Sequence, residues 1–470
     1  MIRTQIAHLI DVGSTWTKGL AVSLNDGRLI ARRQHPTTLR AGIMQGVNTV
    51  IADLERAAAG TVVFRAATSS AAGGLRVAAI GLVPGLTGFA AKQASLGAGA
   101  RVVFTGSYAL EADDIEAMRD QRPDIILLTG GTNGGNTEVI LKNAERLARA
   151  GLPAAVVLAG NKSARAAALA LLRAGGYEVH VADNVLPAVD TLNVESAQAA
   201  IRGVFLERIV VARGIEKLRE WALGVVMPTP KAVLDAAAFL ADGHPGRFGT
   251  TVVVDIGGAT TDVHSIGGSE PQAGIVLKGL PEPRVKRTVE GDLGLRVSAA
   301  AAADALGAEA LAKGMGVSIE HLRQVAGDRV EHPGTIGERD AFDRVVAVAA
   351  VAEALFRHVG RLERLPLLRE TWVQIGKDLR RADVVIGSGG VFAARADANE
   401  LLDAAVREAS AKGDHLVPDG AALLIDRDYV LFAVGLLAQR YPETAASLAL
   451  RSLGKPQSLT KGAGDEKCGS

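Results

Sequence analysis

Residues Thr250–Gly268 read TTVVVDIGGATTDVHSIGG. The apolar, β-branched run Thr251–Val254 predicts a buried strand that ends in Asp255, and a second short strand is predicted from Val263. Glycine lets backbone N–H groups approach an anion, and successive N–H groups can form an anion-binding concavity. A carboxylate at such a strand end can hold Mg²⁺ directly or through water. The stretch therefore predicts a loop that handles phosphate.

The same pattern occurs near the N-terminus. His8–Ile10 leads into Asp11–Lys18, with the sequence DVGSTWTK, and a turn at Asn25–Gly27 follows. In both copies the order is Asp, a branched aliphatic residue, Gly, Gly or Ser, a small residue, any residue and Thr. The last position is Lys18 in the first copy and Asp262 in the second. Two such loops, about half a chain apart, indicate a duplicated domain.

Two further glycine-rich turns follow predicted strands. Residues 382–386 predict a strand that ends in Gly387–Gly390, with the sequence GSGG. In third position after two phosphate loops, this turn predicts contact with adenosine, because glycine lets the backbone lie against purine and ribose. Residues Asp124–Thr129 predict a strand that ends in Gly130–Gly135, which we interpret as the corresponding turn of the first half. Internal symmetry alone, without a ligand, would also explain Gly130–Gly135.

Length and composition restrict the class of protein. The chain has 470 residues, 48% hydrophobic and 22% charged, so two soluble domains are expected. The net charge is +1 and no long basic run occurs, so we expect no nucleic-acid or anionic-membrane partner. No apolar run is long enough for a bilayer and no signal peptide pattern is present, so we expect a cytoplasmic protein. The single cysteine, Cys468, excludes intramolecular disulfides and a Cys-ligated zinc or iron–sulfur site.

Strand and helix patterns alternate between residues 61 and 182, which predicts parallel strands joined by crossover helices. Pro228, Pro230 and Gly243–Gly246 then mark the approach to a domain boundary. We expect a first domain over 1–245 that contains these additional strand–helix units. A second domain is expected over 246–455, and a disordered tail over 456–470.

The three loops together resemble a known set of motifs. Asp11–Lys18, Asp255–Asp262 and Ile386–Phe392 resemble the phosphate-1, phosphate-2 and adenosine motifs of the superfamily of actin, sugar kinases and heat-shock chaperone ATPases. The resemblance implies an α/β protein with two duplicated actin-like, ribonuclease H-like domains. It also implies that ATP and Mg²⁺ bind in the cleft between them.

A closer resemblance rests on four stretches. They are SSAAGGLRVAAIGLVPGLT (Ser69–Thr87), LLTGGTNGGN (Leu127–Asn136), DIGGATTDVHS (Asp255–Ser265) and PEPRVKRTVEGDLGLR (Pro281–Arg296). Together they resemble the MutL-type accessory proteins encoded beside glutamate mutase, which are unrelated to the mismatch-repair protein of the same name. The family usually shows Asp where Asn133 stands, so this loop has one negative charge fewer.

That resemblance implies an ATP-binding and ATP-hydrolysing accessory protein, chaperone-like in reactivating an adenosylcobalamin-dependent carbon-skeleton mutase. We expect weak Mg-dependent ATPase activity. The predicted catalytic residues are Asp255, Asp11 and Asp262, and the predicted Mg²⁺ ligands are Asp11 and Asp255. The predicted nucleotide contacts are Gly13, Ser14, Thr15, Thr17, Lys18, Gly257, Gly258, Thr260, Thr261, Gly387, Ser388, Gly389 and Gly390. Lys18 would reach the β- or γ-phosphate as a point charge, whereas Asp262 has the alternative of capping its own turn.

Other readings of the same residues stay open. A small-molecule kinase would use the same cleft with an Asp base beside an acceptor hydroxyl. Glu290 and Asp292 form a solvated turn or, alternatively, orient a water or Mg²⁺. The string Asp262–Gly267 matches D-x-H-x-x-G, which binds cobalamin in some mutases. We reject that role because the motif belongs to a flavodoxin-like, doubly wound domain, whereas here the string overlaps a phosphate loop and its hairpin. No P-loop motif occurs, and an activator of radical dehydratases would need cluster cysteines that this chain lacks.

Overall fold

A computed structural model gives the structure of the protein. It describes residues 4–38, 42–70, 75–205, 216–223, 225–242, 247–268, 271–272, 274–334, 340–364 and 372–454. The predicted tail over 456–470, with Cys468, lies outside the described residues. The predicted boundary at 245/246 also adjoins residues that are not described, and its position stays a prediction.

The strands of the described chain form four sheets. They are β1 Gln5–Val12, β2 Trp16–Ser23, β3 Leu29–Pro36, β4 Thr61–Ser69, β5 Arg76–Gly81, β6 Arg101–Ser107, β7 Ile125–Leu128, β8 Ala155–Leu158, β9 Val179–Val181, β10 Val226–Pro228, β11 Thr251–Ile256, β12 Thr261–Ile266, β13 Ile275–Leu277, β14 Val285–Glu290, β15 Arg361–Arg364, β16 Trp372–Ile375, β17 Val384–Ser388 and β18 Ala422–Ile425.

Helices connect these strands and cover the faces of the larger sheets. They are α1 Ile43–Ala57, α2 Phe89–Gly97, α3 Ala112–Gln121, α4 Glu138–Ala150, α5 Arg165–Ala174, α6 Glu195–Val204, α7 Glu216–Trp221, α8 Thr229–Asp242, α9 Ala299–Ala305, α10 Ala308–Met315, α11 Ile319–Glu331, α12 Ala341–His358, α13 Gly390–Ala394, α14 Ala398–Ser410, α15 Leu431–Leu437 and α16 Pro442–Leu453. One turn of π-helix, Pro84–Gly88, precedes α2. No helix in the described part of the chain is both long and apolar enough to cross a membrane.

Two of the sheets share one topology, which confirms the predicted fold of two duplicated α/β domains. The first runs β3-β2-β1-β4-β10 and the second β14-β12-β11-β17-β18. In each sheet the first three strands are antiparallel, and the remaining two run parallel to the third. Below, the first domain means the first of these sheets with its helices, and the second domain means the second.

The strand registers match as well. Asp11 pairs with Lys18 across β1 and β2, and Asp255 pairs with Asp262 across β11 and β12. The two copies of the sequence pattern therefore form equivalent hairpins, as the repeat predicts. Strand β11 is almost wholly buried, because helices cover both faces of its sheet, and this explains its unbroken apolar run.

The additional strand–helix units form a separate sheet between β4 and β10. Its strands are all parallel in the order β6-β5-β7-β8-β9, a doubly wound arrangement. We call residues 75–182 the inserted subdomain. The predicted parallel strands are confirmed, but the interpretation of Gly130–Gly135 is wrong. That turn follows β7 of the inserted subdomain, whereas the equivalent of β17 in the first sheet is β4, which leads into Ser70.

Helices α8 and α15 lie between the two domain sheets and join them. Their apolar side chains share one buried core with both sheets, including Leu9 of β1, Val253 of β11 and Phe432 of α15. The two helices approach very closely at Gly435, where an added Cβ would lie 2.0 Å from the carbonyl oxygen of Ala232. This contact fixes the distance between the domains at the base of the cleft.

We expect Gly435→Ala to lower the free energy of unfolding by about 2 to 3 kcal/mol, because the new methyl group overlaps a backbone atom that can move only with its helix. Gly327→Ala is the matched control, since Gly327 lies in helix α11 with nothing within 4 Å of an added Cβ. In the control, the free energy of unfolding should rise by roughly 0.5 to 1 kcal/mol. Denaturant unfolding of both variants measures the difference, and equal effects would show that the helix approach is not tight.

Candidate functional site

A cavity of about 230 Å³ lies where the first domain, the second domain and the inserted subdomain meet. The predicted site residues that line it are Asp11, Gly13, Ser14, Thr15, Lys18, Asp255, Gly257, Gly258, Thr260, Asp262, Gly389 and Gly390. The three sequence motifs, which are far apart along the chain, therefore meet at one place.

The two phosphate-type loops have the same local geometry and face each other. The N–H of Gly13 donates to the carbonyl of Trp16 at 3.0 Å, and the N–H of Gly257 donates to the carbonyl of Thr260 at 2.8 Å. A Cβ on Gly258 would lie 3.2 Å from Cγ2 of Thr15, so the loops of opposite domains are almost in contact. A ligand between them would touch both domains at once.

Asp255 is a carboxylate without a hydrogen-bond or ion-pair partner among the residues that the structure describes. Its side chain, half-buried at the end of β11, makes no hydrogen bond or ion pair with the described residues. Burial raises the pKa of Asp255 to about 7, nearby Asp262 adds to the rise, and Lys18 opposes it. Such a carboxylate is stabilised by any cation that enters the cavity.

Lys18 carries the positive charge of the first loop. Its Nζ lies 3.2 Å from the centroid of the Tyr429 ring, within cation–π distance. Burial lowers the pKa of Lys18, while the charges of Asp11 and Asp255 act in the opposite direction. A phosphate in the cavity would give this ammonium group a partner.

Asp11, by contrast, is fully buried and already hydrogen-bonded. Its Oδ1 accepts from the hydroxyls of Thr68 at 2.8 Å and Thr229 at 2.7 Å, and its Oδ2 accepts from Tyr429 at 3.2 Å. The three hydroxyls come from β4, α8 and the segment before α15. Asp11 thus connects both domains to the first loop. Because its two oxygens already accept three hydrogen bonds, few of their lone pairs are left to bind a metal.

Asp262 is held by an arginine. Arg287 Nε donates to Asp262 Oδ1 at 2.8 Å, and Thr260 Oγ1 donates to Asp262 Oδ2 at 2.9 Å. Both members of the ion pair are buried. The arrangement supports neither a free catalytic base nor simple capping of the turn, and instead fixes the shape of the second loop.

The third motif contributes backbone. Gly389 has a φ of 109°, and an added Cβ would lie 2.1 Å from the carbonyl oxygen of Ile256. Only glycine fits there, so the turn after β17 can lie directly beside the second loop.

The cavity lining does not include the predicted contacts Thr17, Thr261, Gly387 and Ser388. The hydroxyl of Thr17 lies 3.1 Å from that of Thr37, Thr261 donates to the carbonyl of Leu293, and Ser388 donates to Asp426. These hydroxyls hold the loops in place, and their predicted contact with a nucleotide finds no support in the geometry.

Several polar residues in the lining are not predicted from the sequence. They are Arg32, Gln34, Ser70, Arg101, Thr229, Arg287, Arg296 and Tyr429. Arg287 and Arg296 lie inside the stretch PEPRVKRTVEGDLGLR, but no spacing rule assigns them a role. Tyr429 has a φ of 56°, which the sequence alone does not indicate.

The two remaining sequence candidates have other roles. Glu290 and Asp292 both pair with Arg357, at 2.9 and 3.0 Å, and do not line the cavity. His264 lies in β12 of the second domain and not in the doubly wound sheet. Burial lowers the pKa of His264 well below its ordinary value, so the ring is neutral. It is closed off from solvent, which agrees with rejecting a cobalamin role.

The cavity suits Mg²⁺ shared with phosphate better than a metal held by protein alone. Within the described ranges, no three His, Cys, Asp or Glu side chains come together as a metal-ligand group. Mg²⁺ is commonly bound by one or two carboxylates together with phosphates and water. The unpartnered Asp255 fits this role, whereas the oxygens of Asp11 already accept three hydrogen bonds.

Comparison with known proteins adds the following. A family model described as MutL protein matches residues 7–453. Protein MutL of Clostridium tetanomorphum is 41% identical over 457 residues, which cover 95% of this chain and 99% of that protein. Among solved structures, nucleotide-free acetone carboxylase is 14% identical with a TM-score of 0.38, covering 93% of this chain and 70% of that one. Gluconate kinase from Lactobacillus acidophilus is 11% identical with a TM-score of 0.35, covering 94% and 91%. Structural similarity this low gives no information about the activity of this chain.

We expect Asp255→Asn to raise the free energy of unfolding at pH 8 by about 1 to 2 kcal/mol. One pKa unit corresponds to ~1.4 kcal/mol, and partial exposure reduces the effect of the shift. Because the folded pKa of about 7 lies above the ordinary value of 3.8, the gain should be full above pH 7 and fade as the pH falls toward 3.8.

Denaturant unfolding of both proteins at several pH values measures this gain. Asp120→Asn, an exposed position on helix α3, is the control and should change stability little. If Asp255→Asn left stability at pH 8 unchanged or lower, the carboxylate would have a stabilising partner and the assignment of an open cation position would be wrong.

Proposed function

Because the chain belongs to the MutL protein family, we propose that it is an ATP-binding and ATP-hydrolysing accessory protein of an adenosylcobalamin-dependent carbon-skeleton mutase such as glutamate mutase. Its activity would be a weak, Mg-dependent ATPase coupled to reactivation of the mutase. The nucleotide part of this proposal rests on the cavity, and the mutase part rests on the family.

One observation supports the nucleotide part most strongly. Two equivalent glycine turns from opposite domains face each other across the cavity and carry Lys18 on one side and Asp255 on the other. Backbone N–H groups and Lys18 would bind phosphate oxygens, and the Asp255 carboxylate would hold Mg²⁺. When bound, Mg²⁺ supplies charge neutralisation at the phosphates. The turn at Gly389 would place the adenosine on the second domain.

A nucleotide held in this way would act as a bridge between the domains. With ATP, the phosphates would contact Lys18 of the first domain directly and Asp255 of the second through Mg²⁺. Loss of the γ-phosphate removes part of that connection and favours opening of the cleft. We propose that this opening and closing acts on the partner mutase and releases damaged cobalamin from it.

The geometry gives less support to a small-molecule kinase. A kinase needs a carboxylate base beside the acceptor hydroxyl. Among the carboxylates that line the cavity, Asp11 accepts three hydroxyl hydrogen bonds and Asp262 is paired with Arg287. Asp255 remains, and it is the carboxylate that the proposal assigns to Mg²⁺.

The proposal is tested with a mutase that has been inactivated during turnover. We expect the wild-type chain with Mg–ATP and fresh adenosylcobalamin to restore its activity, and Lys18→Ala to restore roughly tenfold less in the same time, equivalent to ~1.4 kcal/mol. Lys313→Ala is the control, because Lys313 is exposed on helix α10 away from the cavity. It should behave like the wild type.

Two outcomes would contradict the proposal. If reactivation were equally fast without ATP, the nucleotide would have no role in it. If the chain binds Mg–ATP but neither reactivates the mutase nor associates with it, the nucleotide part of the proposal stands and the mutase part is wrong.

A further inference from the structure

The inserted subdomain forms the third wall of the cavity. The segment Leu96–Arg101, from the end of α2 to the start of β6, contributes Gly99 and Arg101 to the lining. Arg287 fastens this segment to the second domain, because its Nη1 donates to the carbonyls of Ala100 at 2.7 Å and Leu96 at 3.2 Å. The same guanidinium is paired with Asp262 of the second loop. The position of the segment is thus fixed relative to that loop.

Arg101 lies beside the second loop. A Cβ added to Gly291 would be 2.3 Å from Nη2 of Arg101, so the guanidinium packs directly on that glycine. Ser298 Oγ is 3.0 Å from the carbonyl oxygen of Gly291 and 2.7 Å from that of Ala259, which belongs to the loop. Gly291 and the loop are therefore neighbours, and Arg101 covers them from the side of the inserted subdomain.

The positive charge of Arg101 is available to a ligand. It is exposed, and its side chain makes no hydrogen bond or ion pair with any residue in the described part of the chain. The other arginines of the lining have partners among the described residues: Arg287 pairs with Asp262, Arg296 pairs with the buried Asp343 at 2.7 Å, and Arg32 donates to the carbonyl of Arg427 at 3.1 Å. An unoccupied guanidinium at the wall of an anion-binding cavity is a strong phosphate ligand, because its planar fork matches phosphate oxygens.

The sheet order shows which phosphate Arg101 would meet. In the order β14-β12-β11-β17, the turn at Gly389 follows β17, and Gly291 follows β14. The two positions lie on opposite sides of the second loop, three strand spacings of about 4.8 Å, or roughly 14 Å, apart. A nucleotide with its adenosine at Gly389 that crosses the loop extends its far end toward Arg101.

We propose that Arg101 binds the terminal phosphate of a nucleoside triphosphate, so that the inserted subdomain contributes directly to the site. This inference rests on the proposed nucleotide binding. It gives the inserted subdomain a part in distinguishing ATP from ADP, since the contact exists only when the third phosphate is present.

Equilibrium binding of a non-hydrolysable ATP analogue and of ADP, each with Mg²⁺, tests the inference. Arg101→Ala should weaken binding of the analogue by about tenfold or more, as expected for loss of a hydrogen bond to a charged group. Binding of ADP should weaken by less than about threefold. Arg101→Lys should recover part of the loss, because lysine restores the charge but not the fork. Arg173→Ala, an exposed arginine on helix α5 of the same subdomain, should bind both nucleotides like the wild type.

A second variant tests position without removing the charge. Gly291→Ala places a methyl group where the guanidinium now lies, and because that guanidinium ends a flexible side chain, it can move aside without unfolding the protein. The variant should show the same selective loss for the ATP analogue.

The outcomes separate this inference from the proposed function. Equal losses for the analogue and ADP, or no loss for either, would overturn the role of Arg101 while nucleotide binding stands. A wild-type chain that binds neither nucleotide would overturn the proposed function and this inference with it.

Discussion

Asp11, Asp262 and Asp426 lie close enough to Asp255 for their negative charges to add to the effect of burial in raising its pKa, and the partners of these carboxylates shape the region where the two domains meet. Asp11 accepts three hydroxyl hydrogen bonds, and Asp262 is neutralised by Arg287. Asp426 accepts from the N–H groups of Val430 and Leu431 at the start of helix α15. Asp255 alone, among these four, has no such partner within the described chain. The uncompensated negative charge of Asp255 makes the cavity suitable for a cation that is bound together with an anion.

The groups that satisfy these carboxylates also join the parts of the molecule. The donors to Asp11 come from both sides of the cleft, and Arg287 connects the second loop to the inserted subdomain. Removing one partner of a buried ion pair lowers the stability of a protein by about 3 to 5 kcal/mol, so the connection through Arg287 is costly to break. A change at the second loop is therefore expected to move the inserted subdomain with it. The close contact of the helices at Gly435 keeps the base of the cleft fixed.

The sequence predicts those parts of the fold that depend on neighbouring residues. A strand, an aspartate and a glycine turn lie within about twenty residues, so the hairpins, the duplicated loops and the position of Asp255 could all be predicted. The partners of the carboxylates could not, because Arg287 meets Leu96 across 191 positions and Tyr429 meets Asp11 across 418. Gly130–Gly135 was misplaced because every parallel strand of the inserted subdomain can end in a glycine turn, and local sequence does not tell which sheet a strand joins.

In the proposed function, one nucleotide is bound by both loops at once. A crystal structure with Mg²⁺ and a non-hydrolysable ATP analogue tests it most directly. We expect phosphates in contact with Lys18 and with the backbone of Gly257 and Gly258, and Mg²⁺ bound to Asp255 directly, at about 2.1 Å, or through water. A nucleotide that contacts one domain only, or Mg²⁺ held away from Asp255, would contradict it.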